Sequence, residues 1–161
     1  MASNHFGPDG QARMVDVSEK AVTVRTATAE TIVLMQPKTM EMIQAGTHRK
    51  GDVLAVARLA AIMGCKQTAS LIPLCHAIPI EGVDVTFEPF EEPTATEARL
   101  RCQVTVRTTA KTGIEMEAMT GASIAGLTLY DMCKSVDRRM ELESIRVVAK
   151  AGGKSGDWSV D

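Results

Sequence analysis

The chain has 161 residues, 45% of them hydrophobic and 24% charged, with a formal net charge of −2. That is enough for one domain with a real core, and no whole-chain basic field points to nucleic acid or an anionic membrane. Aromatic residues, at 3%, are too few for base-stacking platforms, and the uncharged run at 118–130 is too short to span a bilayer.

Residues 1–13 are polar, contain glycine and proline, and read as a mobile arm without the apolar core of a signal peptide. AVTVRTATAETIVLM (21–35) is rich in β-branched residues and reads as extended. QPKTMEMIQAG follows, with Pro37 suited to a first helical turn and Gly46 to a C-terminal cap. DVLAVARLAAIMGCK (52–66) is apolar at helical spacing and predicts a buried helix. GVDVTFEP (82–89) and EARLRCQVTVRTT (97–109) alternate apolar with polar residues and predict half-buried strands, joined as a hairpin by the turn-rich segment between them. Thr112 and Glu115 fit a T-x-x-E capping box, so a helix is expected to begin near Gly113. A last strand is expected within ELESIRVVAK (141–150), and the remainder, AGGKSGDWSVD, reads as loop. The order β-α-α-β-β-α-β predicts an α+β, ferredoxin-like split βαβ sandwich, an antiparallel sheet packed against helices. Its expected organisation is a flexible arm at 1–13, a single domain at 14–157 and a C-terminal tail at 158–161.

Four cysteines, at 65, 75, 102 and 133, form no CxxC pair. They predict reduced, mostly buried thiols in a cytoplasmic protein rather than a zinc site or a disulfide framework. His48, Arg49 and Lys50 precede a helix start, where backbone N–H groups favour anions. Composition alone favours a solvated turn there, with Asp52 serving the helix N-terminus. Cys75 and His76 are neighbours in an extended, proline-flanked loop, so their side chains point apart and do not form a nucleophile pair. His76 then either lines a pocket or is a satisfied core histidine. GGKSG (152–156) lacks the first glycine and the following helix of a phosphate loop.

The segment 113–134 is apolar but carries ionisable groups at both ends: Glu115 and Glu117 at its start, Asp131 and Lys134 at its finish. Asp131 and Lys134 share a helix face at i, i+3, which fits either a surface ion pair or an acid–base pair. Glu115 is accounted for by capping and Glu117 is not. An unbroken helix separates Glu117 from Asp131 by roughly 20 Å. Use of both ends therefore calls for a long ligand or for two chains sharing one site, with the small residues at 121–126 available for close packing between them.

MVDVS (14–18), THRKGDVLAVARLA (47–60), LIPLCHAIPI (71–80), KTGIEMEAMTGASIAGLTLYDMCK (111–134) and KAGGKSG (150–156) together resemble the cyclic pyranopterin monophosphate synthase family, the C protein of molybdenum cofactor biosynthesis. The resemblance implies a ferredoxin-like fold assembled as a hexamer, a trimer of dimers. It implies a GTP-derived triphosphate substrate that is converted to cyclic pyranopterin monophosphate and diphosphate, with no cofactor and no metal. The family's catalytic acid falls on Asp131 and its essential lysines on Lys50 and Lys134. Its ligand-contacting positions fall on Leu74, Cys75, His76, Met116 and Glu117. Glu115, Asp16, Arg25, Lys66 and Lys150 match further charged positions. Ala77 and Gln67 stand where the family commonly has proline and arginine. For Asp131 to act as a protonated acid, the end of the uncharged run would have to be desolvated. A non-catalytic nucleotide-binding module is the alternative reading, and RNA binding is disfavoured by the charge balance and the scarce aromatics.

Overall fold

The computed structural model describes residues 5–153 and 156–160. Strand β1 (Thr23–Met35) leads into helices α1 (Pro37–Gln44) and α2 (Val53–Leu71). Strands β2 (Gly82–Pro89) and β3 (Ala98–Ala110) form the expected hairpin, followed by α3 (Glu115–Cys133), β4 (Glu141–Ala151) and a short β5 (Trp158–Ser159). The sheet order is β2-β3-β1-β4-β5, with each neighbour antiparallel. Each crossover skips one strand: β3 lies between β1 and β2, and β1 lies between β3 and β4. This is the split βαβ, ferredoxin-like arrangement, with α3 packed over β1, β3 and β4, and with α2 beside it, reaching β2.

Local chemistry explains most boundaries. Pro37 occupies the first turn of α1. The Asp52 carboxylate accepts the Ala55 N–H at 2.9 Å and starts α2. Behind α1, the carboxylate of Asp137, 1% exposed, accepts the Gln36 N–H at 2.8 Å, the Thr39 hydroxyl at 3.0 Å and the Arg139 N–H at 3.2 Å. Burial pushes its pKa up, but these donors outweigh burial and hold it below the ordinary aspartate value.

Three expectations are corrected. First, α3 begins at Glu115 with Ile114 at its N-cap and no capping side chain. Glu115 is drawn away from a capping box by Lys150, whose Nζ lies 2.8 Å from its Oε1. Second, α2 is buried on one face only. Val56, Leu59 and Met63 point outward, at 41%, 60% and 58% exposure. Third, the tail is not all loop, because Trp158 and Ser159 pair with Lys150 and Ala149. Part of the phosphate-loop-like segment, residues 154 and 155, lies outside the described residues, as do residues 1–4 and 161. Residues 5–13 form a small hairpin with a bridge between Phe6 and Ala12.

The core beneath the helices is built from small side chains. Ala61, Cys65, Ala118, Ala122 and Ala125 are at most 1% exposed and pack on Ala27, Ala29, Val104 and Val106 of the sheet. Gly121 sits where α3 meets α2. A Cβ there would lie 2.5 Å from Cys65 Sγ and 3.2 Å from the Ala61 carbonyl oxygen. Gly126 faces Leu142 of β4 in the same way, at 2.7 Å. The small residues Gly121 and Gly126 therefore serve contacts within one chain, not the packing between chains for which 121–126 was expected to be available. Gly121→Ala should lower the unfolding free energy by about 2 kcal/mol, although alanine is the better helix former by roughly 1 kcal/mol. A denaturation midpoint equal to or above wild type would mean that α2 moves aside freely.

Candidate active site

Two clusters of ionisable groups stand at the two ends of α3. At its C-terminal end, Lys134 Nζ lies 2.5 Å from Asp131 Oδ1, and Lys50 Nζ donates to the Asp131 carbonyl oxygen at 2.8 Å. The turn before α2 thus delivers Lys50 to the last turn of α3, where helix carbonyls attract cations. The Asp131 and Lys134 side chains are 63% and 51% exposed. The hydrogen bond and charge of Lys134, and then the charge of Lys50, hold the Asp131 carboxyl below its ordinary value, while Asp131 pushes Lys134 up. The expected desolvation of Asp131 is therefore absent in the single chain. Position 131 follows Leu127 around the outward face of α3, and the buried positions of the uncharged run lie on the opposite face. In this state Asp131 is held as a carboxylate by its lysine partners.

The N-terminal cluster surrounds Glu115 and Glu117. Glu115 is paired with Lys150. Burial pushes its pKa up, but the Lys150 hydrogen bond and charge, with Arg25 nearby, prevail and hold it low. Arg25 is braced by the end of β3, donating to the Ala110 carbonyl oxygen at 3.0 Å and to that of Lys111 at 3.4 Å. Glu117 differs, being 3% exposed, with the Cys75 thiol donating to its Oε1 at 3.8 Å. Burial raises its pKa, the thiol opposes this, and the Glu115 charge adds to it. Burial and Glu117 in turn raise the Cys75 pKa.

Cys75 and His76 diverge as their extended spacing predicts. The thiol turns to Glu117, while His76 Nε2 meets the Val15 carbonyl oxygen at 2.8 Å. Leu74 takes a left-handed φ of 65°, which turns the loop at this point. The segment around Asp16 is drawn over the loop. Asp16 Oδ1 accepts the Ser18 N–H at 2.8 Å, and Lys111 Nζ donates to the Ser18 carbonyl oxygen at 2.6 Å. A cleft of about 590 Å³ opens between Val15, Leu74, His76, Glu115 and Met116. A second, of about 730 Å³, adjoins it beside Lys20, Arg25, Lys111 and Lys150. Lys66 borders a smaller recess of about 190 Å³ with Ala77 and Glu117.

Of the expected site residues, Leu74, Cys75, His76, Glu115, Met116, Glu117, Asp16, Arg25, Lys66 and Lys150 gather around the start of α3, and Lys50, Asp131 and Lys134 around its end. The helix between the clusters is unbroken. Lys20 and Lys111 belong to the first group and were not singled out. Lys111 opens the KTGIEMEAMT segment, so its place in that motif was the available signal.

A family model described as the MoaC family matches residues 14–153. The chain belongs to the MoaC family. It is 53% identical over 155 residues to a cyclic pyranopterin monophosphate synthase of Chloroflexus aggregans, covering 96% of this chain and 92% of that protein. A protein of the same name from Nostoc sp. is 56% identical over 154 residues, 96% of this chain and 89% of its own. Another, from Rhodopirellula baltica, is 52% identical over 164 residues, 99% and 94% of the two chains. The MoaC family match spans both clusters, ending at the glycine beside Arg25.

Glu117 generates a stability test. Because its folded pKa is raised, its contribution is fully present below the ordinary glutamate range and is lost as the pH rises through the raised value. Glu117→Gln keeps the volume and removes the charge. The variant should match the wild-type melting temperature in acid and exceed it by a few degrees near neutral pH. A difference that is flat with pH would mean that the carboxyl is solvated.

Proposed function

We propose that the chain is a cyclic pyranopterin monophosphate synthase, a lyase of molybdenum cofactor biosynthesis. The substrate implied by the resemblance is 3′,8-cyclo-7,8-dihydroguanosine 5′-triphosphate, and the products are cyclic pyranopterin monophosphate and diphosphate. The observation that carries this reading is the meeting of Asp131, Lys134 and Lys50 at one end of α3: a carboxylate with two cations beside it.

In the closing step a ribose hydroxyl oxygen bonds to the α-phosphorus, the bond from that phosphorus to the bridging oxygen breaks, and diphosphate leaves. The hydroxyl proton needs an acceptor, and ionised Asp131 supplies one. Charge grows on the phosphoryl and leaving-group oxygens, and Lys134 and Lys50 offset it. The ring rearrangement needs a proton donor as well. Glu117, which burial keeps protonated to higher pH, fills that role at the other end. Arg25, Lys150, Lys66 and the loop Leu74–Cys75–His76, with Asp16, Glu115 and Met116, orient the substrate there.

One chain holds these two ends too far apart for one compact site, so the active unit is a homo-oligomer. We assign a hexamer, a trimer of dimers, in which antiparallel neighbours bring the Glu117 end of one α3 to the Asp131 end of another. The outward apolar residues Val56, Leu59, Met63 and Leu127 support such an interface, which would also desolvate Asp131. Residues 14–157 serve as a single catalytic domain behind the arm 1–13. Among the described residues no helix is long and apolar enough to cross a membrane. The four free thiols support a reducing cytoplasmic setting.

Wild-type protein should release diphosphate from the cyclic triphosphate, and saturable binding without release would favour a non-catalytic module. Asp131→Asn should lower kcat by about two orders of magnitude or more, the scale of one general base, with fold and affinity kept. Near-normal turnover would remove Asp131 from the mechanism.

Complementation tests the shared site. Inactive Glu117→Ala and Asp131→Ala proteins, mixed under conditions of subunit exchange, should regain part of the activity, because some interfaces then carry both wild-type ends. If mass spectrometry shows exchange and no activity returns, the two ends do not meet across an interface.

A further inference from the structure

His48 is buried, at 7% exposure, although it lies in the charged turn THRKGD. Its Nδ1 accepts the backbone N–H of Lys50 at 3.1 Å, and its own carbonyl oxygen accepts the N–H of Gly51 at 3.0 Å. A side-chain acceptor meeting the N–H two residues on is the geometry of an Asx turn, built here from an imidazole. Gly51 closes the turn at a φ of 97°, which a residue with a Cβ rarely adopts, and Asp52 then caps α2. His48 thus holds the main chain on both sides of the Lys50 Cα. From that anchored backbone the Lys50 side chain reaches the Asp131 carbonyl oxygen.

We infer, on the footing of the function proposed above, that His48 is the positioning residue of Lys50. Its Nδ1 fixes the turn from which Lys50 is aimed at the end of α3 and at the phosphates bound there. His48 itself touches no reacting group. A lysine on an unbraced turn spends its charge over many positions, and each conformation lost from the productive one weakens phosphate binding.

Two variants separate this role from simple packing. His48→Leu keeps apolar bulk and removes the acceptor. His48→Asn loses bulk and restores an acceptor with the same two-residue reach. In the full-length protein, hydrogen exchange should show the Lys50 amide protected in wild type and His48→Asn and unprotected in His48→Leu. With the cyclic triphosphate as substrate, His48→Leu should raise KM about tenfold, the scale of one hydrogen bond, with a smaller change in kcat. His48→Asn should stay near wild type. Equal impairment of both variants would overturn the inference, as would wild-type exchange in His48→Leu, or lost protection with an unchanged KM. If wild type releases no diphosphate at all, the proposed function fails, and the exchange pattern at Lys50 still decides whether His48 braces the turn.

Discussion

The close approach of α3 to α2 and the sheet governs the rest of the molecule. Gly121, Ala122, Ala125 and Gly126 bring the helix onto a floor of alanine and valine, and no charged side chain fits in that layer. Ionisable groups on α3 are therefore displaced to its ends or to its outer face. The separation of the two clusters follows from how the helix is packed. The same displacement leaves an outer surface on which apolar residues, Leu127 on α3 and Leu59 and Met63 on α2, are exposed among the described residues.

The two ends treat their carboxylates in opposite ways. Asp131 stands in solvent with two lysines and is held ionised. Glu117 is buried with a thiol as its partner and is biased toward the neutral form. Groups whose environments push their pKa values apart are suited to opposite proton-transfer roles. Lys150 keeps Glu115 ionised only two positions from Glu117, so pairing and burial, rather than helix position, decide the difference.

Much of this was legible in the sequence. Alternating residues marked β2 and β3, and Pro37 and Asp52 marked two helix starts, because these signals act within a few residues. The motif order carried the family and the grouping of the site residues. The failures have separate causes, of which competition from a distant partner is one. Thr112 and Glu115 spell a capping box, but Lys150, thirty-five residues away, claims the carboxylate. The apolar run ahead of Asp131 implied desolvation, but the turn of the helix puts Asp131 outside. His48 read as part of a solvated turn, since nothing local reveals that its ring folds back to hold the Lys50 main chain. The pairing of the tail with β4 was hidden because two residues are too few for a strand pattern.

That tail strand carries the one tryptophan of the chain. Trp158 is 43% exposed and stands in register with Lys150, the cation that holds Glu115. Nearby, Asp157 Oδ1 accepts the Gly152 N–H at 2.7 Å and closes the turn between β4 and β5. An indole there reports on the polarity of its surroundings through its emission wavelength. Because no second indole contributes, the intrinsic fluorescence of the protein reads a single address, the recess that Trp158 lines with Thr26, Thr28 and Lys150. The sequence thus supplies its own optical probe of the sheet edge at Lys150.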